Sequence, residues 1–307
     1  MPKKGQGTKS VPKTNHKANK NKQPKAISKL PSVFSLAKSS WQILWRNRNS
    51  MSFIILIYGL VYLVLVLGIS SPGNVPSLKH EFNGVFHGHL SSLFSGLSIY
   101  TYLVGSSTSS QSASGSTYQV FIMLIASLAI IWALRQYYLG AKIRARDSYY
   151  KGLYPFVPFL LVLLFIIVEL IPLLIGLFLY GTLINGGIAV TGLEKVVSLI
   201  PIIGLVFISF YLLASSLMAI YIVTLPNMTP MKAIKSAREL VKGRRGLVLK
   251  KMVFLPVVLI ILTGLIMLPF IYILPSIAAW VFYLLSLIGL VYIHSYLYAL
   301  YRGLINE

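Results

Sequence analysis

Of the six acidic residues in this 307-residue chain, only Glu169 falls inside a long apolar run, LLFIIVELIPLLIGL. A charged carboxylate at that depth in a bilayer costs a few kcal/mol on insertion scales, so it must be neutral, paired or within reach of water. Three chemistries fit such a group. It is an ion or proton site, a hydrogen-bonded core carboxyl, or an outer-leaflet residue whose head reaches solvent. Pro172, three residues later, frees a backbone carbonyl and so favours a polar local environment. His294 lies in VYIHSYLYALY beside Ser295. Its imidazole could relay protons, pair with Glu169, or satisfy a hydrogen bond between helices. The expected depths of the two residues differ by about one helical turn.

His80, Glu81, His87 and His89 gather within KHEFNGVFHGHL. Two imidazoles separated by one residue plus a third can bind zinc, but this spacing matches no established motif, and chance clustering is the expected reading. The chain has no cysteine, which removes disulfides, thiolate nucleophiles and cysteine-ligated metal. There is also no glycine-rich phosphate loop, no serine–histidine–aspartate set and no carboxylate pair. No enzyme, no cofactor and no metal site is expected on these grounds.

The cations are the other chemically loaded residues. Twenty-eight Lys and Arg against the six acids give a formal charge of +22. Twelve lie in the first 50 residues, five between Arg135 and Lys151, eight between Lys232 and Lys251, and one at Arg302. Only Lys79 and Lys195 fall in the alternate segments. Such a face attracts anionic phospholipid headgroups, each cation contributing about 1 kcal/mol at most. The residues expected to make these contacts are Lys38, Arg46, Arg48, Arg144, Arg146, Lys235, Lys242, Arg244 and Arg245. Cytoplasmic nucleic acid or ribosomes are a second choice for the lysine-rich tail, which has no aromatic residue before Phe34 to stack on bases.

The elements that must carry these groups are set by hydropathy. With 56% apolar and 11% charged residues and a mean hydropathy of +0.76, the composition is that of a membrane protein. Six runs are long enough to cross a core that takes roughly 20 helical residues. They lie near 52–70, 118–138, 154–180, 197–225, 252–274 and 277–300. Uninterrupted runs of this kind are helices, since barrel strands would alternate in short segments. The third and fourth runs carry Pro155, Pro158, Pro172 and Pro201, so tilting or kinking is expected there. Residues 1–30 read as a disordered, uncleaved polybasic tail. The outer loop, 71–117, is Ser/Gly-rich in its second half and reads as mobile there.

Phe34, Ala37, Trp41, Leu44 and Trp45 share a helical face opposite Lys38, Gln42, Arg46 and Asn47. This predicts an amphipathic helix, lying either at the headgroup boundary or packed on the bundle. Comparable basic stretches at 143–153 and 231–245 precede the second and third hairpins, with Ser39, Ser148 and Ser236 in matching positions. The fold class is therefore all-α and polytopic, with an expected threefold repeat of amphipathic helix plus transmembrane hairpin. In the third unit Thr229 is the expected N-cap and Pro230 the first helical residue, with Gly243 and Gly246 near its end.

The stretches IWALRQYY (131–138), LYPFVPFLLVL (153–163) and SARELVKGRRG (236–246) resemble uncharacterised bacterial six-span membrane proteins. More distantly they resemble the membrane domain that accompanies some glycerophosphodiester phosphodiesterases. The resemblance spans roughly residues 35 to 303 and implies a fold and a cell-membrane location. It carries over no activity, because the metal-binding acid cluster of the phosphodiesterase domain has no counterpart here. Two functions follow as expectations: an envelope scaffold or accessory whose basic face binds anionic lipid or a membrane protein partner, or a transporter or channel with its site at Glu169.

With 26 of the 28 cations on one side, both termini are expected in the cytoplasm. Single cysteines in this cysteine-free chain test the orientation. An impermeant thiol reagent should label Ser109→Cys and spare Lys242→Cys in intact cells, and the reverse pattern would invert the assignment.

Overall fold

The computed structural model describes residues 31–65, 113–186, 188 and 190–305. The polybasic tail and the segment holding His80, Glu81, His87 and His89 lie outside the described residues. Within them all regular structure is helical: α1 (Val33–Arg46), α2 (Arg48–Leu65), α3 (Ala113–Tyr138), α4 (Ala145–Gly152), α5 (Phe156–Glu169), α6 (Ile171–Tyr180), α7 (Gly192–Ile222), α8 (Pro230–Val241), α9 (Arg245–Ile273) and α10 (Pro275–Ile305). Six helical segments are long and apolar enough to cross a membrane, the third formed by α5 and α6 together.

The break inside that third span has a local cause. Pro172 occupies the second position of α6 and has no N–H to give the Val168 carbonyl, so the helix is interrupted at Leu170. Pro201 sits within α7, and Pro256 and Pro269 within α9, without ending either helix. A capping box formed by Thr191 and Glu194 starts α7 several residues before its apolar run begins.

The short amphipathic helices α1, α4 and α8 each precede a hairpin: α2 with α3, α5 and α6 with α7, α9 with α10. Each amphipathic helix packs along the closing span of the hairpin before it, taken cyclically. Helix α4 lies on α3, α8 on α7, and α1 on α10. The closing spans α3, α7 and α10 in turn meet near their C-terminal ends. There Tyr221 stacks on Tyr301 with ring centroids 6.0 Å apart and meets Tyr298 edge-on at 5.8 Å, while Tyr138 meets Tyr298 at 5.3 Å. Arg302 lies 5.1 Å from the Tyr138 ring.

Small residues permit this docking. Ser40, Ser148 and Ala237 are fully buried, one in each of the three amphipathic helices. The neighbouring Ser39 and Ser236 are only half-buried. Across these contacts the Ser295 hydroxyl donates to the Ser40 carbonyl at 3.2 Å, and Gly152 abuts the Leu128–Ala129 backbone. Tyr149 of α4 reaches across to donate to the Ile54 carbonyl of α2 at 2.8 Å. Burial pushes its phenol up to about 12, so it keeps that proton at any physiological pH.

Helix α1 resolves the two readings of its pattern. Its buried residues are Leu36 and Ser40, whereas Phe34, Trp41 and Trp45 are exposed. The aromatic stripe is therefore only partly covered: Ala37 and Leu44 pack against the core, and the rings of Phe34, Trp41 and Trp45 lie at its edge. A neighbouring stripe through Leu36 and Ser40 docks on α10; the tryptophans stack on each other at 6.2 Å, and Trp41 meets the Tyr292 ring of α10 edge-on at 6.4 Å while half its surface stays open. Helix α8 conforms to its sequence signals: Thr229 accepts from the Lys232 N–H at 3.4 Å, Pro230 opens the helix, and Gly243 follows its end with φ +78°.

The close approach of α4 to α3 gives a direct test. A Cβ on Gly152 would lie 3.0 Å from the Leu128 carbonyl oxygen and 3.1 Å from Ala129 Cα, both backbone atoms unable to move aside. Gly152→Val should therefore lower stability by about 1–3 kcal/mol in thermal unfolding of the detergent-solubilised protein. Gly204→Ala, in a helix interior with open space around it, should be neutral or stabilising by up to about 1 kcal/mol.

Candidate functional site

Glu169 is the last residue of α5. Its side chain is buried, and its Oε1 accepts a hydrogen bond from Nη2 of Arg238 at 3.3 Å, in an ion pair between α5 and α8. Arg238 also lies 5.4 Å from the Phe165 ring, one turn earlier on α5, and keeps 45% of its side chain exposed. The charge in the apolar run is thus met by a cation 69 residues away in sequence, anchored on one side and open on the other.

The surroundings of this pair follow from helix register. Gly176 faces Ile202 and Leu205 of the antiparallel α7, so seven residues earlier Glu169 lies beside the turn of α7 that carries Ser209 and Tyr211. Arg245, at the start of α9, sits 4.8 Å from the Tyr211 ring. The second carboxylate oxygen of Glu169 and the Ser209 hydroxyl are both buried with no hydrogen-bond partner among the described residues. By register the two atoms lie at similar depth along α5 and α7.

His294 does not reach Glu169. Its Nε2 lies 3.0 Å from Ser127 Oγ on α3 and its Nδ1 3.4 Å from the Tyr221 hydroxyl on α7. An imidazole with one N–H and one lone pair serves both neighbours at once, so this residue ties α10 to the other two closing spans. Of the readings open for His294, the hydrogen bond between helices is the one its neighbours fit.

Arg238 was not singled out in the sequence, although a signal existed. At 3.6 residues per turn it is the cation of α8 nearest the stripe formed by Ala233, Ile234, Ala237 and Val241, all four of which are buried. Two further cations, Arg135 and Lys151, also acquire defined positions only in the fold. Arg135 donates from Nη1 to the Thr224 carbonyl at 3.0 Å, just past the end of α7, and Lys151 lies 5.9 Å from the Trp132 ring.

The residues expected to meet lipid headgroups are distributed over the three amphipathic helices and the starts of α2 and α9. Lys38, Arg46, Arg48, Arg144, Arg146, Lys235 and Lys242 are exposed, and Arg244 and Arg245 are half-buried. Arg48 lies 5.5 Å from the Trp45 ring, so a cation and an exposed indole share one surface.

No protein-family model matches the chain, and no curated protein or solved structure is significantly similar to it. Fold and contacts together define an all-α, multi-pass membrane protein with six candidate spans.

The ion pair is asymmetric in burial, and this has a measurable consequence. Arg238→Met leaves a buried carboxylate alone and should cost about 3–5 kcal/mol. Glu169→Leu leaves a half-exposed guanidinium that can turn to water, and should cost about 1 kcal/mol or less. The double variant should resemble Glu169→Leu. Unfolding of the three proteins in bicelles checks the order, and equal losses in the two single variants would refute it.

Proposed function

We propose that this protein is a non-enzymatic membrane scaffold or accessory whose cytoplasmic basic face engages the headgroups of anionic phospholipids. The observation that supports the reading most is the surface of the docked amphipathic helices. Each is held to the bundle by a small-residue face, leaving cations outward: Lys38 and Arg46 on α1, Arg146 on α4, Lys232 and Lys235 on α8. Trp41 and Trp45 stand exposed on α1, and indole rings favour the headgroup boundary. Cations alone would suit any polyanion. Their combination with exposed apolar aromatics beside six spans suits a lipid surface. The cell membrane and the cytoplasmic placement of both termini belong to the same proposal, on the strength of the charge asymmetry.

Transport past Glu169 is the alternative, and its support is the unpartnered Oε2 beside the turn of Ser209. Against it stands the hold of Arg238 on the other oxygen, which makes the carboxylate a strut between α5 and α8.

Nanodiscs of neutral lipid carrying the protein should co-float with phosphatidylglycerol vesicles and not with phosphatidylcholine vesicles. Replacing Arg144, Arg146, Lys235 and Lys242 by Gln should weaken co-flotation by up to about fivefold per side chain, and raised salt should do the same to the parent protein. Deleting residues 1–30 should weaken it further with little change in thermal stability. Vesicle binding indifferent to all of these changes would overturn the proposal.

A further inference from the structure

A cleft of about 740 Å³ opens beside α3 where the α4–α5 and α7–α8 connections come together. Its volume is that of a site for a small organic ligand. Its wall divides into two kinds of surface. Arg135, Lys151 and the hydroxyls of Thr224 and Thr229 supply the polar part. Leu128, Trp132, Pro158, Val223 and Leu225 supply the apolar part. No acidic residue lines it, and neither Arg135 nor Lys151 makes an ion pair with an acid among the described residues.

Arg135 is held by a hydrogen bond and Lys151 lies near a ring of the wall. Arg135 spends one donor on the Thr224 carbonyl, which fixes the guanidinium; a fork fixed in this way suits a phosphate. Lys151 lies over Trp132, which forms part of the same wall. Two helix starts add to the field. The cleft is bordered by Thr229, the N-cap of the 12-residue α8, and by Pro155, the N-cap of the 14-residue α5, which has no side-chain cap. The positive ends of both helix dipoles therefore lie at its rim. The rim also includes Tyr150 and Tyr154, which are 81% and 92% exposed, the amphipathic side chains of a headgroup boundary.

We infer that this cleft binds the phosphate headgroup of one anionic glycerophospholipid, with Arg135 and Lys151 on the phosphate and the start of an acyl chain along Leu128, Trp132 and Pro158. The inference rests on the reading of this face as one that meets anionic lipid, and goes beyond it by assigning one lipid to one site. Chemistry selects the ligand. Two cations without a compensating acid call for a phosphate, and an apolar wall continuous with them calls for a phosphate carrying a hydrocarbon chain.

Native mass spectrometry of the full chain, released from detergent supplemented with dioleoylphosphatidylglycerol, reads the site directly. One retained lipid per chain is expected, and none with dioleoylphosphatidylcholine. Lys151→Gln, at an exposed position, should weaken retention about tenfold. Arg135→Gln should do so too, but it also strips the Thr224 carbonyl of its donor, so Lys151→Gln decides if that protein misfolds. Lys235→Gln with Lys242→Gln should leave retention unchanged while lowering vesicle co-flotation, and Lys151→Gln alone should lower co-flotation only slightly. Thus loss of vesicle binding with the retained lipid intact overturns the broader proposal alone. Retention equal in Lys151→Gln and the parent overturns the site. Inorganic phosphate binding that depends on Lys151, with no lipid retained, overturns the lipid as ligand.

Discussion

In a bundle of apolar helices the contacts that choose one arrangement over another are the few polar ones, because hydrocarbon packs almost equally well against lipid or against another helix. The junction at His294 is the contact on which this fold turns. One imidazole is within hydrogen-bond distance of Ser127 on α3 and of the Tyr221 hydroxyl on α7, so the three closing spans are located relative to one another by a single side chain. The Arg135 bond to the Thr224 carbonyl and the tyrosine cluster around Tyr221 repeat the same linkage nearer the helix ends. Left without partners in an apolar medium, these groups would each carry a desolvation cost, which is why they bind the spans together.

Around that junction the amphipathic helices act as wedges. Ser40, Ser148 and Ala237 let α1, α4 and α8 approach the closing spans at backbone distance, and the same closeness explains why Gly152 and Gly59 have no side chain. At Gly59 the Tyr283 hydroxyl donates to the glycine carbonyl at 2.6 Å, and a Cβ there would collide with Leu287. A helix docked through its smallest residues keeps its long side chains free. The cations that would be consumed in packing a larger interface are turned outward and the tryptophans stay exposed, so this end of the bundle gains its charge as a by-product of how the bundle is closed.

The Glu169–Arg238 pair belongs to this scheme as well. It is the polar clamp between the broken third span and α8, and the break at Leu170 sits immediately beyond it. A half-exposed guanidinium is an inexpensive partner for a buried acid, since only one of the two charges is removed from water.

Composition and periodicity alone determined the spans, the helical class, the segregation of charge and the start of α8, because all of these depend on residues close together in the chain. Thr229 with Pro230 announces a helix start whatever surrounds it, and twenty apolar residues cannot satisfy their backbone in lipid except as a helix. Partners were a different matter. Glu169 could be recognised as an anomaly but not assigned to Arg238, and for His294 a hydrogen bond between helices could be expected without naming Ser127 and Tyr221 as its partners. The aromatic stripe of α1 was visible, but whether it faced the bundle or turned away depended on α10 being its neighbour. Arg135 and Lys151 belong to one basic stretch in sequence, yet share a cleft with Thr229 only because α7 ends beside α3. Helix-to-helix register is set by which small residues meet across an interface, and that meeting exists only in the folded bundle.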